Sequence, residues 1–378
     1  MASKNTLPSQ HRGLLLEAVG KPFRVEVLPV PQPSPGSAIV QVLAGCVLSY
    51  AGDRYSGYMG FLETPLIAGF SCVGRVAALG PDSTKLKCGD LVFTDPSVLS
   101  RDDENTYILQ GHFHPDTEGS KLLGKGEWQN GTFAEYAKVP LENITCLNEA
   151  RLLGHPEAGG LGYQINDLVC LNEMLIAYGG LNDVNVKAGD KVLVAPATGS
   201  IGRAAVHVAL ALGAKVMAMA RSPEKLRDLG SFDHQGRLST ITISGDVQSD
   251  LTSIREVAGG DIDVFFDISP PEAVNSSHIK SSILALRPRG RISLMGTFLE
   301  DVPLPLNHIM FSNITLQGTR MYTRSQREQL VKMVENGCLK LGQAGGLKPT
   351  ISYKLEDWQE AFRAAKELRG VQSVALCP

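Results

Sequence analysis

Cysteine is present in this chain but follows no plan. The seven cysteines, at positions 46, 72, 88, 146, 170, 338 and 377, are scattered and odd in number. That excludes an ordinary disulfide framework and suits reduced thiols in a cytosol. Long apolar runs are missing as well, and no stretch approaches the length that spans a bilayer. The amino-terminal stretch Met1–Arg12 is polar and lacks the apolar segment of a secretory signal. Asn143-Ile-Thr, Asn275-Ser-Ser and Asn313-Ile-Thr therefore read as chance matches to the glycosylation pattern. Nor is there an excess of one charge. Thirty-six Lys and Arg against 39 Asp and Glu leave a net charge of −3, which makes no electrostatic case for nucleic acid or an anionic membrane. Internal repeats and low-complexity segments are absent, and no Cys/His or Ser/His/Asp arrangement suggests covalent catalysis. What is there is a globular chain of 378 residues, 43% hydrophobic and 20% charged, long enough for two domains.

The front of the chain is β-rich. Pro29, Pro31, Pro33 and Pro35 alternate and remove backbone donors, as in an extended edge before a strand. After Gly36 come short runs at Ala38–Leu43, Cys72–Leu79, Asp90–Thr94 and Thr132–Val139, separated by Gly, Pro and Asp, which predict an antiparallel domain. The segment Asp95–Asn130 is long, polar and poorly periodic, and reads as a functional loop or lobe. From about Glu173 the texture becomes alternating strand and helix. Strands are expected at Lys191–Ala195, Lys215–Ala220, Asp263–Ile268, Arg291–Met295 and Ile314–Gly318. Helices are expected at Gly202–Leu212 and from Pro223. This alternation predicts an α/β fold with a parallel, doubly wound sheet. A helix at Arg327–Asn336, an extended piece at Thr350–Leu355 and a last helix from Asp357 follow.

The strongest local signal is Lys191-Val-Leu-Val-Ala-Pro-Ala197-Thr198-Gly199-Ser200-Ile201-Gly202. A buried strand runs into a tight turn and a helix starts there, with Ala197-x-Gly199-x-x-Gly202 in the register of the dinucleotide fingerprint. Gly199 would let backbone approach a pyrophosphate, and Gly202 would let helix and sheet pack closely. Free N–H groups at the helix start favour phosphate. At the end of the next strand, where an NAD site offers an acid to the ribose 2′-OH, the chain reads Ala220-Arg221-Ser222-Pro223-Glu224-Lys225. Arg221, the Ser222 hydroxyl and Lys225 are suited to a 2′-phosphate, so NADP is expected over NAD. Ser222 and Pro223 equally read as an N-cap and first helical residue. Gly296, after a later strand, is a further expected cofactor position.

Several short stretches then fall into a familiar order. They are Gly89-Asp90-Leu-Val-Phe, Gly131-Thr-Phe-Ala-Glu-Tyr136, Ala177-Tyr178-Gly-Gly-Leu181, Lys187-Ala-Gly-Asp-Lys-Val192 and Tyr353-Lys-Leu-Glu-Asp-Trp-Gln-Glu-Ala-Phe362. With the turn they make the chain resemble the medium-chain dehydrogenase/reductase superfamily over nearly its whole length. In detail it is similar to fungal alcohol- or isopropanol-dehydrogenase-like members and to quinone-oxidoreductase-like ones. The resemblance implies a GroES-like catalytic domain over residues 1–160, a Rossmann NADP-binding domain over 161–320 and a return to the catalytic domain over 321–378. A homodimer is implied as well. Many members hold a catalytic zinc, but this sequence departs at each ligand place. Val47 stands where the first Cys would fall, Phe70 and Ser71 replace His and Glu, and Asn172 stands at the second Cys. Zinc needs three protein donors of suitable softness, and the 95–130 segment, where a structural zinc would lie, contains no cysteine. No bound metal is expected. Gly111-His112-Phe-His114-Pro-Asp116-Thr-Glu118 alternates possible divalent-ion donors, yet Pro115 and its acidic surroundings favour a solvated loop.

Without a metal, the charge left by hydride transfer must be stabilised by a positioned acid or oxyanion donor. The chain that replaces the zinc ligands should border the nicotinamide, and it offers Ser49, Tyr50, Asp53, Tyr55 and Tyr58. Tyr50 and Ser49 are the foremost donors, with His112 and Tyr322 behind them. Any one of the tyrosines equally suits a packing role. The reading is an NADPH-dependent, zinc-independent reductase of an activated C=C (enone or quinone) or C=O in a mid-sized hydrophobic small molecule. A metal-free alcohol dehydrogenase running oxidatively is one alternative, and a redox-silent or non-redox member of the fold is another. A cytoplasmic location is expected.

Overall fold

The computed structural model describes residues 7–58, 62–232 and 236–378, so Met1–Thr6 of the polar amino-terminal stretch lie outside the described residues. The chain forms two units. The first comprises residues up to Asn172 with Lys348–Leu368 and Gln372–Pro378, and the second Glu173–Leu347 with Arg369–Val371. These limits differ from the 160/161 and 320/321 drawn from sequence, and packing explains why. Ile165–Cys170 is a 3-10 helix with Leu168, Val169 and Cys170 buried, and it packs on strands of the first unit. The helix Arg324–Glu335 buries Leu330, Val331 and Val334. Its Gln329 carbonyl oxygen accepts from the Tyr178 hydroxyl and its Gln326 amide donates to Asn182, both within the second unit.

In the first unit Ser37–Cys46 is the central strand, buried along most of its length. It pairs antiparallel with Cys72–Leu79, Tyr136–Pro140 and Val374–Leu376 within a seven-stranded sheet. Such a strand is covered on both faces and so reads as a nearly unbroken apolar run. A second sheet of three strands places Arg24–Pro29 at its edge, just before the alternating prolines. Phe23, Tyr55, Trp358 and Phe362 form an aromatic cluster in the core, with ring centroids 5.1–6.0 Å apart. The 95–130 segment is a lobe with structure of its own. Ser97–Leu99 and Tyr107–Leu109 form a hairpin, Glu118–Leu123 and Gly124–Trp128 are helical, and Val98, Ile108 and Trp128 make a small core.

The second unit is a six-stranded sheet in the order Leu238–Thr242, Lys215–Ala220, Lys191–Ala195, Ile262–Asp267, Leu286–Leu294, Thr315–Gly318. Every neighbouring pair is parallel. The chain thus winds one way from Lys191–Ala195 and then the other, which opens a crevice at the carboxyl ends of the strands where the direction reverses. The expected α/β architecture is observed. No helix among the described residues is long and apolar enough to cross a membrane.

Candidate active site

The dinucleotide turn lies at the carboxyl end of Lys191–Ala195. Gly199 is the N-cap of the helix Ser200–Ala211, in an extended conformation, and Thr198, Gly199, Ser200 and Ile201 are all partly exposed there. The two glycines divide the work as their places suggest. A Cβ added at Gly199 would meet no protein atom within 4 Å, so the space above it is open, whereas one at Gly202 would stand 2.2 Å from the Pro196 carbonyl oxygen. Gly202 therefore holds helix against turn, and Gly199 leaves room for a phosphate. Arg203, which the sequence did not single out, ties this turn to the next loop. It is 3% exposed and donates from Nε to the Thr198 carbonyl at 3.4 Å and from Nη2 to the Lys225 carbonyl at 3.2 Å. Burial lowers its pKa, opposed by Asp228.

At the end of Lys215–Ala220, Arg221 is exposed and Lys225 is exposed four residues later. Ser222 caps the helix Pro223–Arg227, its hydroxyl oxygen accepting from the Lys225 N–H at 3.4 Å. Gly296 has a packing requirement of its own. A Cβ there would stand 2.3 Å from Asp267 Oδ2, where the Met295 and Thr297 N–H groups donate to the Asp267 and Ser269 carbonyls.

In the first unit, the short helix Ala51–Tyr55 follows directly on the end of Ser37–Cys46, with Tyr50 as its N-cap. Tyr55, Asp53 and Tyr58 of this stretch are placed as follows. The Tyr55 hydroxyl donates to the Gly111 carbonyl and accepts from the Gly69 N–H, both at 2.9 Å. Asp53 pairs with Lys366 at 2.8 Å, and Tyr58 is exposed. Ser49 and Tyr50 are both partly exposed. Tyr50 stands edge-on to the His112 ring at 5.6 Å, and Phe70 meets the same ring at 4.9 Å. Tyr322, the weaker candidate, is buried and belongs to the second unit.

The solvated loop expected at Gly111–Glu118 holds for Asp116–Glu118, which are exposed, but not for the two histidines. His112 and His114 are 3% and 2% exposed, drawn inward where the hairpin ends in a tight turn. Arg54, also missed from sequence, is 1% exposed. Its Nε donates to the His112 carbonyl at 2.6 Å, and its guanidinium lies 5.1 Å from the Phe113 ring centroid. Burial first, and the Arg54 charge second, lower the His112 pKa to about 3 and that of His114 to about 4. Both imidazoles are neutral at working pH, so His112 packs against Tyr50 without charge.

This burial has a consequence for acid stability. A histidine whose folded pKa lies below the unfolded 6.5 binds its proton more readily in the unfolded chain. Its share of stability is complete above about pH 6.5 and is lost as pH falls towards 4 and 3. The melting temperature should therefore decline steeply over that window. Neither ring nitrogen of His114 has a partner, so His114→Leu should keep stability at pH 7 and remove up to about 3 kcal/mol of the loss at pH 4. Denaturant curves at both pH values would test this, and an unchanged acid slope would contradict it.

The residues at the zinc places do not fit a zinc ion. Val47 is a buried apolar side chain and the Phe70 ring packs on His112. Cys46, one residue before Val47, is buried, and its N–H donates to the Ser71 carbonyl at 2.9 Å. Ser71 Oγ and both amide atoms of Asn172 are buried without a partner, and a hydroxyl and an amide are poor substitutes for thiolate and imidazole. Among the described residues no three His, Cys, Asp or Glu side chains converge as a metal site requires. In the alternating stretch, Asp116 instead pairs with Lys121 at 2.6 Å and Glu118 starts a helix.

The family model described as alcohol dehydrogenase GroES-like domain matches residues 34–149, and that described as zinc-binding dehydrogenase matches residues 200–336. An acryloyl-coenzyme A reductase of Metallosphaera sedula is 25% identical over 358 residues, 94% of this chain and 96% of its own length. An alcohol dehydrogenase of Rhizobium meliloti is 27% identical over 322 residues, 84% of this chain and 86% of its own. Among solved structures, a cobalt- and zinc-bound thermostable alcohol dehydrogenase from Pyrobaculum aerophilum shares the fold. Its TM-score is 0.74 at 21% identity, covering 98% of this chain and 100% of that one. Matched in both its antiparallel and its parallel unit, the chain belongs to the medium-chain dehydrogenase/reductase superfamily, oxidoreductases that bind a nicotinamide dinucleotide.

Proposed function

We propose that this chain is an NADPH-dependent, zinc-independent oxidoreductase that reduces an activated C=C or C=O in a mid-sized hydrophobic substrate. Within the superfamily it would stand with the quinone-oxidoreductase-like and fungal alcohol- or isopropanol-dehydrogenase-like members. The observation that carries this reading is the exchange at the metal places. Val47, Phe70, Ser71 and Asn172 give no metal donor set, while Phe70 packs on a neutral His112 whose ring also meets that of Tyr50. The cofactor, when bound, supplies the hydride. Thr198–Gly202 would hold its pyrophosphate, and Arg221, Ser222 and Lys225 its 2′-phosphate. Tyr50, with Ser49 beside it, would donate a hydrogen bond to the oxygen on which negative charge develops, an enolate oxygen for an enone or an alkoxide for a ketone.

Similarity to an acryloyl-coenzyme A reductase supports the C=C branch. Similarity to alcohol dehydrogenases supports a second reading, a metal-free alcohol dehydrogenase working oxidatively. A panel of enones, quinones, ketones and alcohols, followed by NADPH consumption and product analysis, separates the two, and no turnover with any of them rejects both. Protein purified without added zinc should contain far less than one equivalent and keep its activity in a chelator. A stoichiometric zinc that survives dialysis would refute the metal-free reading.

A homodimer is proposed on separate grounds. Leu299, Leu306, Met310 and Phe311 are 76%, 68%, 59% and 78% exposed, and they precede Thr315–Gly318, the edge strand of the parallel sheet. An unpaired edge with apolar neighbours suits a second copy of the chain. Sedimentation should show a dimer that Met310→Glu with Phe311→Glu dissociates, and a monomeric wild type would overturn it. The seven cysteines are all free, which supports a place in a reducing cytoplasm.

A further inference from the structure

We infer that Glu173 belongs to the cofactor site, and that the dinucleotide's pyrophosphate binds there together with one proton held on this carboxyl group. The inference rests on Thr198–Gly202 being the pyrophosphate turn. Glu173 lies in the first turn of the helix Leu171–Asp183; its side chain is partly buried, and its carboxyl accepts a hydrogen bond from the Ser200 hydroxyl. Ser200 is the first residue of the helix Ser200–Ala211, where free N–H groups would meet the phosphate oxygens. Its backbone is held from another side by Gly370. That residue has a φ of +82°, and a Cβ there would stand 2.2 Å from Ser200 Cα. Glu173 is therefore one side chain away from the phosphate seat, on a turn that cannot easily shift.

An anionic carboxylate in that place opposes an anionic ligand, because like charges a few ångströms apart disfavour joint ionisation. Two arginines lie on the elements that hold Ser200. Arg203, from the same helix, directs its guanidinium to the Thr198 and Lys225 carbonyls and to Asp228, and Arg369 is the charged residue of the segment that carries Gly370. The Glu173 carboxyl responds to burial first and to the Ser200 hydrogen bond second. Burial prevails, and its pKa rises to about 7. Close to neutrality the group takes a proton from solvent at little cost. The neutral acid then has an O–H to donate towards a phosphate oxygen, and the repulsion is gone.

The test is the pH dependence of cofactor affinity in wild type and Glu173→Gln, followed by quenching of reduced-cofactor fluorescence from pH 6 to pH 8. NADPH and NADH are titrated in parallel, since NADH lacks the 2′-phosphate and removes its titration from the result. Wild-type affinity for both should fall about tenfold between pH 6 and pH 8, as a group of pKa near 7 requires. Glu173→Gln should hold the low-pH affinity throughout. Calorimetry of the wild type in two buffers of different ionisation enthalpy should show uptake of close to one proton at pH 8. An identical pH profile in the variant, or no proton uptake by the wild type, overturns the proposal while leaving the cofactor assignment intact. A wild type that binds neither dinucleotide at any pH overturns both.

Discussion

Replacing Tyr50 by Phe should lower kcat by about 10²–10³ while cofactor affinity and unfolding stay close to wild type. The expectation follows from how the residue is held. Tyr50 caps a five-residue helix, and its ring is fixed edge-on against His112, itself packed on Phe70. Tyr55 also touches His112, but its hydroxyl is already committed to Gly111 and Gly69. Tyr50 is partly exposed, whereas Tyr55 is buried. Loss of one preorganised donor to a developing oxyanion typically costs roughly 3–4 kcal/mol. A parallel fall in kcat and kcat/KM would mark an interaction made mainly in the transition state. Ser49→Ala is the companion variant. Wild-type turnover in both would remove this stretch from the mechanism.

Arg221→Asp should abolish or reverse the cofactor preference. The wild type is expected to bind NADPH at least several-fold tighter than NADH, because an exposed cation follows Ala220 where NAD sites carry an acid. Hydrogen bonds to charged groups contribute about 1.5–3 kcal/mol each. Removing one such contact and adding a like charge should therefore weaken NADPH by about 10–100-fold. The new carboxylate can instead accept from the 2′-OH of NADH. Titrating both cofactors against both proteins decides it, and equal wild-type affinities would sink the assignment.

The sequence revealed those parts of the molecule that are contiguous. Lys191–Ala195 and Lys215–Ala220 have the limits read from sequence, because each is a buried apolar run bounded by Gly, Asp or Arg. The strand Leu238–Thr242 escaped notice since it lies at a sheet edge with only Ile241 buried, and its Ser and Thr residues give no apolar alternation. The turn Thr198–Gly202, proposed to hold the pyrophosphate, is one contiguous segment at the end of a strand and the start of a helix. The proposed donor wall brings together Tyr50, Phe70 and His112, far apart in the chain, so its membership depends on pairing that no local pattern encodes. Arg54 looks like any surface arginine of a short helix until the 95–130 lobe closes over it. His112 and His114 were misread for the same reason, since polar alternation cannot tell a loop facing water from one folded inward. Glu173 left no trace either, because its importance comes from Ser200.

The position of Val374–Leu376 between Ser37–Cys46 and Ile351–Tyr353 in the antiparallel sheet also governs how the protein is made. Glu173–Leu347 is complete while the ribosome still has more than thirty codons to translate, so the parallel sheet can close early. The unit begun first must wait for Val374–Leu376 to emerge and pair at Gly45 and Cys46, and until then that end of Ser37–Cys46 stays open to other chains.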